Sequence, residues 1–477
     1  MKILFATPEC APLVKTGGLG DVSAALPAAL RASGIGVRVL LPGYREVLAA
    51  NGEARLLGRA DLGGVAVRFL ASHLPSGVEL IILDAPALYA RSGGPYQDAS
   101  GDDWNDNARR FGVLSHAAAL LGTGDSPIGW QADVVHCHDW PAALAPVYLD
   151  AAPRPHAASL VTIHNLAFQG VFPFAEVELL GLPASRMGLD GVEFYGQASF
   201  LKGGLVCADA INAVSPTYAK EIQGPDLGFG LDGVLRHRAS VLYGVLNGID
   251  VDAWNPANDS LIPARYDAGT LSRKRESKKA LKAVMGLAGP DEVPLAGVVT
   301  RLTHQKGIDL LVDALPQLAA RGMQVAIVGT GDRALVKSLE GCREKFPLAL
   351  GFVIGFDERL AHLVEAGSDI FLMPSRFEPC GMNQMYSQRY GTPPVVNATG
   401  GLVDTVIDES AGDKATGFLM RTTDSNGLME ACGRALAAMR DAARWKRLQA
   451  NGMAKDFGWK EAARQYVAIY ERIRPTS

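Results

Sequence analysis

Several stretches of this chain set cations, a carboxylate and glycines at spacings suited to chemistry on an anion. VKTGGLGDVSAAL, Val14–Leu26, is the first. Gly17, Gly18 and Gly20 let backbone N–H groups approach an anion, and Lys15 adds a full charge. A helix beginning near Asp21 would turn its positive end to the same place. A tight strand-to-helix turn with an exposed lysine explains the same residues equally well. In VVTRLTHQKGIDLL, Arg301 and Lys306 share one loop, with the lysine just before a helix. Two cations beside a helix N-terminus make a better anion site than either feature alone; plain surface charge is the alternative. VGTGDR (Val328–Arg333) and NATGGLVDTV (Asn397–Val406, with Thr399, Gly400 and Gly401) also follow strands. Together with the Arg/Lys loop they make a sheet edge lined with backbone donors, which suits a phosphate-bearing ligand.

Carboxylates and imidazoles stand at similar places. In SRFEPCGMNQMY, Ser375–Tyr386, Glu378 precedes a proline and is held extended, outside the coming helix. It needs hydroxyls or a cation as partners. Sugar hydroxyls would serve, and a helix-N-terminal carboxylate bound by backbone N–H groups is the alternative. VVHCHDW ends a strand with His136 and His138 on one face. H-x-H suggests zinc, but a third ligand is required and none is apparent. The reading is one packed histidine, with Asp139 pointing into a cleft. TIHNLAFQG ends the next strand with His164 at the same rim.

Two familiar phosphate-binding patterns are excluded. A dinucleotide fingerprint would need glycine at position 23, which is Ser23, and the second strand ends LLPGY without the acidic residue expected at a ribose. No Gly-Lys-Ser/Thr follows at Walker spacing.

The elements that must position these loops are legible as short apolar runs alternating with alanine- and leucine-rich stretches. KILFA, VRVLL, VELIIL, DVVHC and SLVTIH form one series, and PLAGVVT, QVAIVG, DIFLMP and PPVVN a second. Continuous apolar strands between helices imply parallel sheets covered on both faces. The series starts twice, so the fold class is α/β, with two doubly wound, Rossmann-like domains facing a central cleft. The expected divisions are residues 1–246, residues 247–456, and a terminal helix, 457–477, crossing back to the first domain. The turn-rich stretch Val245–Ser260 carries the boundary. SRKRESKKALKAVMGL follows it, and its basic cluster reads as a solvated helix face.

At 477 residues the chain exceeds one ordinary core. A net charge of −4 without charge blocks argues against nucleic acid or a membrane surface as partner. Six scattered cysteines without C-x-x-C spacing read as reduced thiols in a cytoplasmic protein. No signal peptide or membrane span is apparent.

KTGGLGDV, HCHDW, TIHNLAFQG, NGIDVDAWNP, TRLTHQKGIDLL and EPCGMNQMY occur in this order across nearly the whole chain. In these motifs the chain resembles the bacterial glycogen synthases and plant starch synthases, glycosyltransferase family 5 enzymes of the GT-B fold. The resemblance implies glucose transfer from ADP-glucose to the non-reducing end of an α-1,4-glucan, with retention at the anomeric carbon. It implies that Lys15, Gly17 and Gly18 face the donor's phosphates and sugar, and that Arg301 and Lys306 hold the diphosphate, helped by the loop with Thr399, Gly400 and Gly401. Glu378 would bind donor glucose hydroxyls, with backbone N–H groups from Cys380 and Gly381. His164 would sit by the reacting sugar. Asp139 and Asp21 would line the acceptor and donor region, and Tyr96 and Asn247 match further cleft positions, Tyr96 on the acceptor side. Three positions depart from usual patterns: Asn383 replaces a threonine near the phosphates, and Phe356 a tyrosine near the base. Tyr386 stands where many other GT-B transferases carry a second glutamate.

Departure of a diphosphate from C1 builds charge that fixed cations stabilise; with Arg301 and Lys306 in that role no metal or other cofactor is needed. The rival expectations are a non-catalytic nucleotide-sugar or glucan-binding protein, a transferase preferring UDP-glucose, and a nicotinamide dehydrogenase, which the broken fingerprint disfavours.

Overall fold

Runs of apolar residues between helices become parallel strands here because both of their faces are covered. The structure, a computed structural model, describes residues 1–474. Two units are distinguished: Met1–Gly248 with the chain from Trp459 onward, and Ile249–Gly458.

In the first unit the strands are β1 (Lys2–Ala6), β2 (Gly36–Pro42), β3 (Arg55–Asp61), β4 (Ala66–His73), β5 (Glu79–Asp84), β6 (Val134–His138), β7 (Ala158–Ile163), β8 (Val171–Phe172), β9 (Glu193–Phe194), β10 (Gln197–Ser199), β11 (Ala210–Ala213) and β12 (Leu242–Gly244). Nine of them form one sheet, in the order β12-β11-β7-β6-β1-β2-β5-β4-β3. Pairing is parallel from β12 to β5 and antiparallel at β5–β4 and β4–β3. The antiparallel extension has a half-exposed, alternating pattern that a search for continuous apolar runs passes over. Register sets Phe5 opposite His136 and His138 opposite Thr162. The carboxyl ends of β1, β6 and β7 therefore lie side by side, where open α/β sheets bind ligands. The helix Trp459–Ile473 buries one face, including Tyr466 and Tyr470. The Tyr470 hydroxyl lies 2.8 Å from His136 Nδ1, and the Tyr466 hydroxyl accepts from Asn212 Nδ2 at 2.8 Å.

The second unit holds β13 (Leu295–Val299), β14 (Gln324–Gly329), β15 (Leu350–Ile354), β16 (Ile370–Met373), β17 (Pro394–Asn397) and β18 (Phe418–Met420), all parallel, in the order β15-β14-β13-β16-β17-β18. Alternate residues of β13 face opposite cores. Ala296 and Val298 pack with Leu311, Leu315 and Leu318 of the helix Ile308–Ala320, and Leu295 and Val299 with Leu281, Leu363 and Val364. Strand order reverses between β13 and β16, so the loops after these two strands flank the switch point.

The basic helix Lys274–Met285 corrects a sequence expectation. Three of its four lysines turn inward: Lys274, Lys278 and Lys282, spaced by four, are buried, while Lys279 and Arg275 stay on an exposed face. Lys274 Nζ donates to the Glu365 and Ala366 carbonyls and to Thr392 Oγ1; Lys278 pairs with Asp369 at 2.7 Å; Lys282 donates to the Gly289 and Pro290 carbonyls. Desolvation pushes Lys274 down to about 7. An i, i+4 stripe is a helix face whatever its residue type. Here the stems cross apolar ground and the ammonium groups end on fixed acceptors.

Candidate functional site

In the second unit, Arg301 and Lys306 lie on the loop after β13, and Gly307 caps the helix that follows. Arg301 is exposed. Lys306 is mostly buried and its Nζ lies 2.5 Å from Glu378 Oε2, which also accepts from Ser375 Oγ at 3.0 Å. The carboxylate next to the cations is thus held by a cation and a hydroxyl. It is not a helix-N-terminal carboxylate, because the next helix starts at Asn383, five residues on. On the same loop Arg376 grips Asp309 with two bonds, 2.7 and 2.6 Å, and also the His304 carbonyl. That fork ties the loop after β16 to the helix following the Lys306 loop.

The glycines of these loops have a use beyond offering N–H groups to a ligand. A Cβ on Gly307 (φ +67°) would fall 2.0 Å from the Pro374 carbonyl oxygen. One on Gly400 (φ +45°) would fall 2.0 Å from that of Glu378, and one on Gly401 2.1 Å from that of Cys380. Gly329 and Gly331 clear Thr300 and Leu302 in the same way. The loops after β13, β14, β16 and β17 touch backbone to backbone, which only glycine permits. Gly401 N–H accordingly donates to the Glu378 carbonyl, and Gly381 (φ +71°) turns the chain beside buried Cys380. Thr399 caps the short helix Gly400–Thr405. Asn383 spends its amide on the Val299 carbonyl, at 2.5 Å. Tyr386 is buried and stacked on Trp254, centroids 3.8 Å apart, so its ring is part of the unit's interior. Phe356 lies apart from this cluster, on the loop after β15, and is 68% exposed.

In the first unit the helix after β1 runs Gly18–Ala32, three residues earlier than expected, with Gly17 as cap and Asp21 in its first turn. Lys15 Nζ pairs with Asp21 Oδ1 at 2.7 Å in an exposed setting. Two N–H groups of this loop already hold an anion, and it belongs to the protein. Glu9 Oε2 accepts from Thr16 N–H at 2.5 Å and Gly17 N–H at 3.2 Å, while Glu9 Oε1 accepts from the Tyr96 hydroxyl at 2.7 Å. Glu9 is buried. Sequence reasoning missed it; the available signal was a lone acid at the end of β1, one turn before a glycine loop.

Asp139 follows β6 with φ +54°. One of its carboxylate oxygens is held within the protein: Oδ1 accepts from the backbone N–H of His164 at 2.7 Å and of Asn165 at 3.4 Å, joining the ends of β6 and β7. Burial pushes this carboxyl up to about 7, against the pull of both N–H groups. Both histidines of H-x-H are packed, where one was expected. His136 lies between Tyr470 and Thr162, and His138 stacks on Phe5 with its Nδ1 2.9 Å from His164 Nε2. With both His136 nitrogens engaged, the pair is not a zinc site. Burial holds His164 down to about 3, so its imidazole is neutral at physiological pH. Asn247, at the end of this unit, is buried with no partner for Oδ1. The site residues thus fall into two groups: Lys15, Gly17, Gly18, Asp21, Tyr96, Asp139 and His164 at the carboxyl edge of one sheet, and Lys306, Glu378, Cys380, Gly381 and Thr399–Gly401 at that of the other.

Comparison with known proteins gives the family and the fold. Residues 2–237 match the family model described as starch synthase catalytic domain, and residues 286–450 that of glycosyl transferases group 1. A solved sucrose-phosphate synthase from Thermosynechococcus elongatus shares the fold, with TM-score 0.61 at 20% identity over 99% of this chain and 98% of that one. Fold and cation-bearing loops together define a two-domain glycosyltransferase of GT-B type. Glycogen synthases from Aromatoleum aromaticum and Paracidovorax citrulli are 54% and 52% identical, each over 99% of this chain and 97% and 95% of the relative. The catalytic domain of starch synthase IV from Arabidopsis thaliana, solved with ADP and acarbose, superimposes with TM-score 0.87 at 31% identity, over 99% of this chain and 98% of that one. The chain belongs to the glycogen synthase family, glucosyltransferases that use a nucleotide sugar and a glucan. No helix among the described residues is long and apolar enough to cross a membrane.

Proposed function

We propose that the chain transfers glucose from ADP-glucose to the non-reducing end of an α-1,4-glucan, with retention at the anomeric carbon, in the cytoplasm. The observation that carries this reading is the Lys306–Glu378 pair, 2.5 Å apart and steadied by Ser375, on loops that glycine contacts hold rigid. A leaving diphosphate develops charge as the C1–O bond breaks, and a cation already in place lowers the barrier without reorganising. Lys306 and exposed Arg301 take that role. Glu378 keeps Oε1 for donor sugar hydroxyls while Oε2 orients the lysine. Cys380 and Gly381 contribute backbone donors, and the Thr399–Gly401 loop buttresses the set. The protein's cations do the work a metal would otherwise do.

Within the first unit, Lys15 and Gly17 serve donor phosphates, and Tyr96 and Asp139 the acceptor. His164, being neutral, orients a sugar hydroxyl by hydrogen bonding; an imidazolium acid is not available to it. The acceptor hydroxyl attacks the face that the diphosphate leaves, and its proton passes to the leaving phosphate oxygen.

UDP-glucose is the second reading for the donor, favoured by Phe356, which offers an exposed ring without a hydroxyl. The test incubates the full chain with glycogen and ADP-glucose or UDP-glucose, without added metal. Nucleotide release and chain growth are followed, with the anomeric configuration of new linkages read by proton NMR. Faster ADP release with α-linkages is expected. β-Linkages would overturn retention, and binding of ADP-glucose without transfer would reduce the chain to a binding protein.

A further inference from the structure

Packing alone does not account for the second histidine of H-x-H. His138 is fully buried and stacks on Phe5, ring centroids 3.8 Å apart, as an apolar ring would. His136 packs against it, centroids 4.0 Å apart, but spends both of its nitrogens elsewhere, on the Tyr470 and Thr162 hydroxyls. The polar contact of the His138 ring is with His164, Nδ1 to Nε2 at 2.9 Å. Its own Nε2 is buried without a hydrogen-bond partner among the described residues.

A neutral imidazole carries one N–H and one lone pair. Burial keeps both rings neutral, holding His138 well below its ordinary value and His164 down to about 3. The bond between them therefore has two forms. In one, His164 Nε2–H donates to His138 Nδ1. The His138 proton then sits on Nε2, a sealed N–H with nothing to receive it. In the other, His138 Nδ1–H donates to His164 Nε2, and His138 Nε2 is left with an unmatched lone pair only. Buried N–H groups without an acceptor are rarer than under-satisfied acceptors, so the second form prevails. The bond made by one ring nitrogen fixes where the other carries its proton, and His164 holds its proton on Nδ1. That nitrogen makes no hydrogen bond among the described residues, and His164 is half-buried, where His138 is sealed.

We infer that His138 is a positioning residue for glucosyl transfer: it locks His164 in the Nδ1–H form, so that His164 meets a sugar hydroxyl as a donor. A free imidazole favours the opposite, Nε2–H form, so the lock has a real preference to oppose. With Nε2 occupied and Nδ1 protonated, His164 has no lone pair with which to act as a base. The proton of the acceptor hydroxyl must go elsewhere, in keeping with its passage to the leaving phosphate oxygen. The inference rests on the reading of His164 above as a residue that orients a sugar hydroxyl.

The first test uses the wild-type chain labelled with nitrogen-15 histidine. Long-range proton–nitrogen correlation spectra report the tautomer of each ring, and comparison with His164→Gln identifies the His164 signals. A proton on Nδ1 is expected; an Nε2–H form of His164 would overturn the lock. Two variants supply the kinetic test. In His138→Asn the amide nitrogen takes the place of Nδ1 and keeps the donor, whereas His138→Phe keeps a ring on Phe5 and loses the donor. His138→Phe should lower kcat about ten-fold, less than the loss of a donor in direct contact, with the KM of both substrates within about two-fold. Its His164 should revert to the Nε2–H form. His138→Asn should hold kcat within about three-fold of wild type, although it leaves the larger gap in the core. A merely structural role gives the reverse order, because phenylalanine preserves the packing better. Wild-type kcat in a folded His138→Phe, or an asparagine variant slower than the phenylalanine one, would overturn the inference. A wild-type chain with the Nδ1–H tautomer that transfers no glucose would overturn the proposed function and leave the tautomer lock standing.

Discussion

The glycine loop after β1 and the glycine loops of the second sheet read alike as strings of letters, yet they solve opposite problems. Gly400 and Gly401 are filled against: backbone carbonyls of the neighbouring loop stand where their Cβ atoms would be. Gly17 has nothing within 4 Å of the place a Cβ would take, and its φ of −157° is extended backbone open to any residue. The ion pairs differ in the same sense. Lys306 and Glu378 are 17% and 6% exposed, whereas Lys15 and Asp21 are 43% and 31% exposed. One loop set is locked by the protein itself; the other leaves Gly17 open, and holds its shape through Glu9.

The largest effect that would test this contrast is Gly400→Ala. Overlap with the Glu378 carbonyl plus a left-handed backbone should cost the second unit about 3–5 kcal/mol in urea unfolding. A loss no larger than that of Gly17→Ala would break the distinction. Next is Lys306→Ala, expected to lower kcat by about 10²–10³, the loss typical of removing one donor to a developing anion. Its melting temperature should drop too, because Glu378 stays buried without its cation. Turnover near wild type would take this lysine out of the mechanism.

Asp139 sharpens the comparison through pH. Its folded-state value, about 7, lies above the unfolded one, so its contribution to stability is complete below pH about 4 and is lost as pH rises toward 7. Relative to Asp139→Asn, the wild type should lose about 1–4 kcal/mol across that window and then level off. A flat difference in urea titrations from pH 4 to 8 would show that the carboxyl is not held in its neutral form. Glu9→Ala should cost about 1–3 kcal/mol by leaving two N–H groups and a tyrosine hydroxyl unmatched, and should raise the KM for the donor by loosening the loop. The smallest effect belongs to Lys15→Ala, whose exposed pair is worth under about 1 kcal/mol of stability. Its change should appear in donor KM, and a melting-point drop as large as that of Lys306→Ala would erase the contrast.

The parallel strands were legible because a strand covered on both faces must be apolar throughout, as in β1, β6, β7, β13 and β14. β3 and β4 were not, since alternation at half exposure is weaker than a run. The loops carrying Lys306, Glu378 and His164 were legible from their place after such strands. What those glycines touch was not, because Gly400 meets Glu378 and Gly307 meets Pro374 only in three dimensions. Glu9 and the lysine helix share that reason. Their partners lie 87 residues away for Tyr96 and 91 for Asp369, and charge alone suggests solvent. Asp139 was placed at the right strand end, but the bonds of its Oδ1 to the backbone after the next strand were not legible.

The inward lysine stripe also supplies a clock. Lys274, shifted to about 7, is largely an unprotonated amine at mildly alkaline pH, the form that attacks acylating reagents, yet it is shut away from them. Its labelling, followed by mass spectrometry against the exposed lysines of the same chain, would count how often the second unit opens.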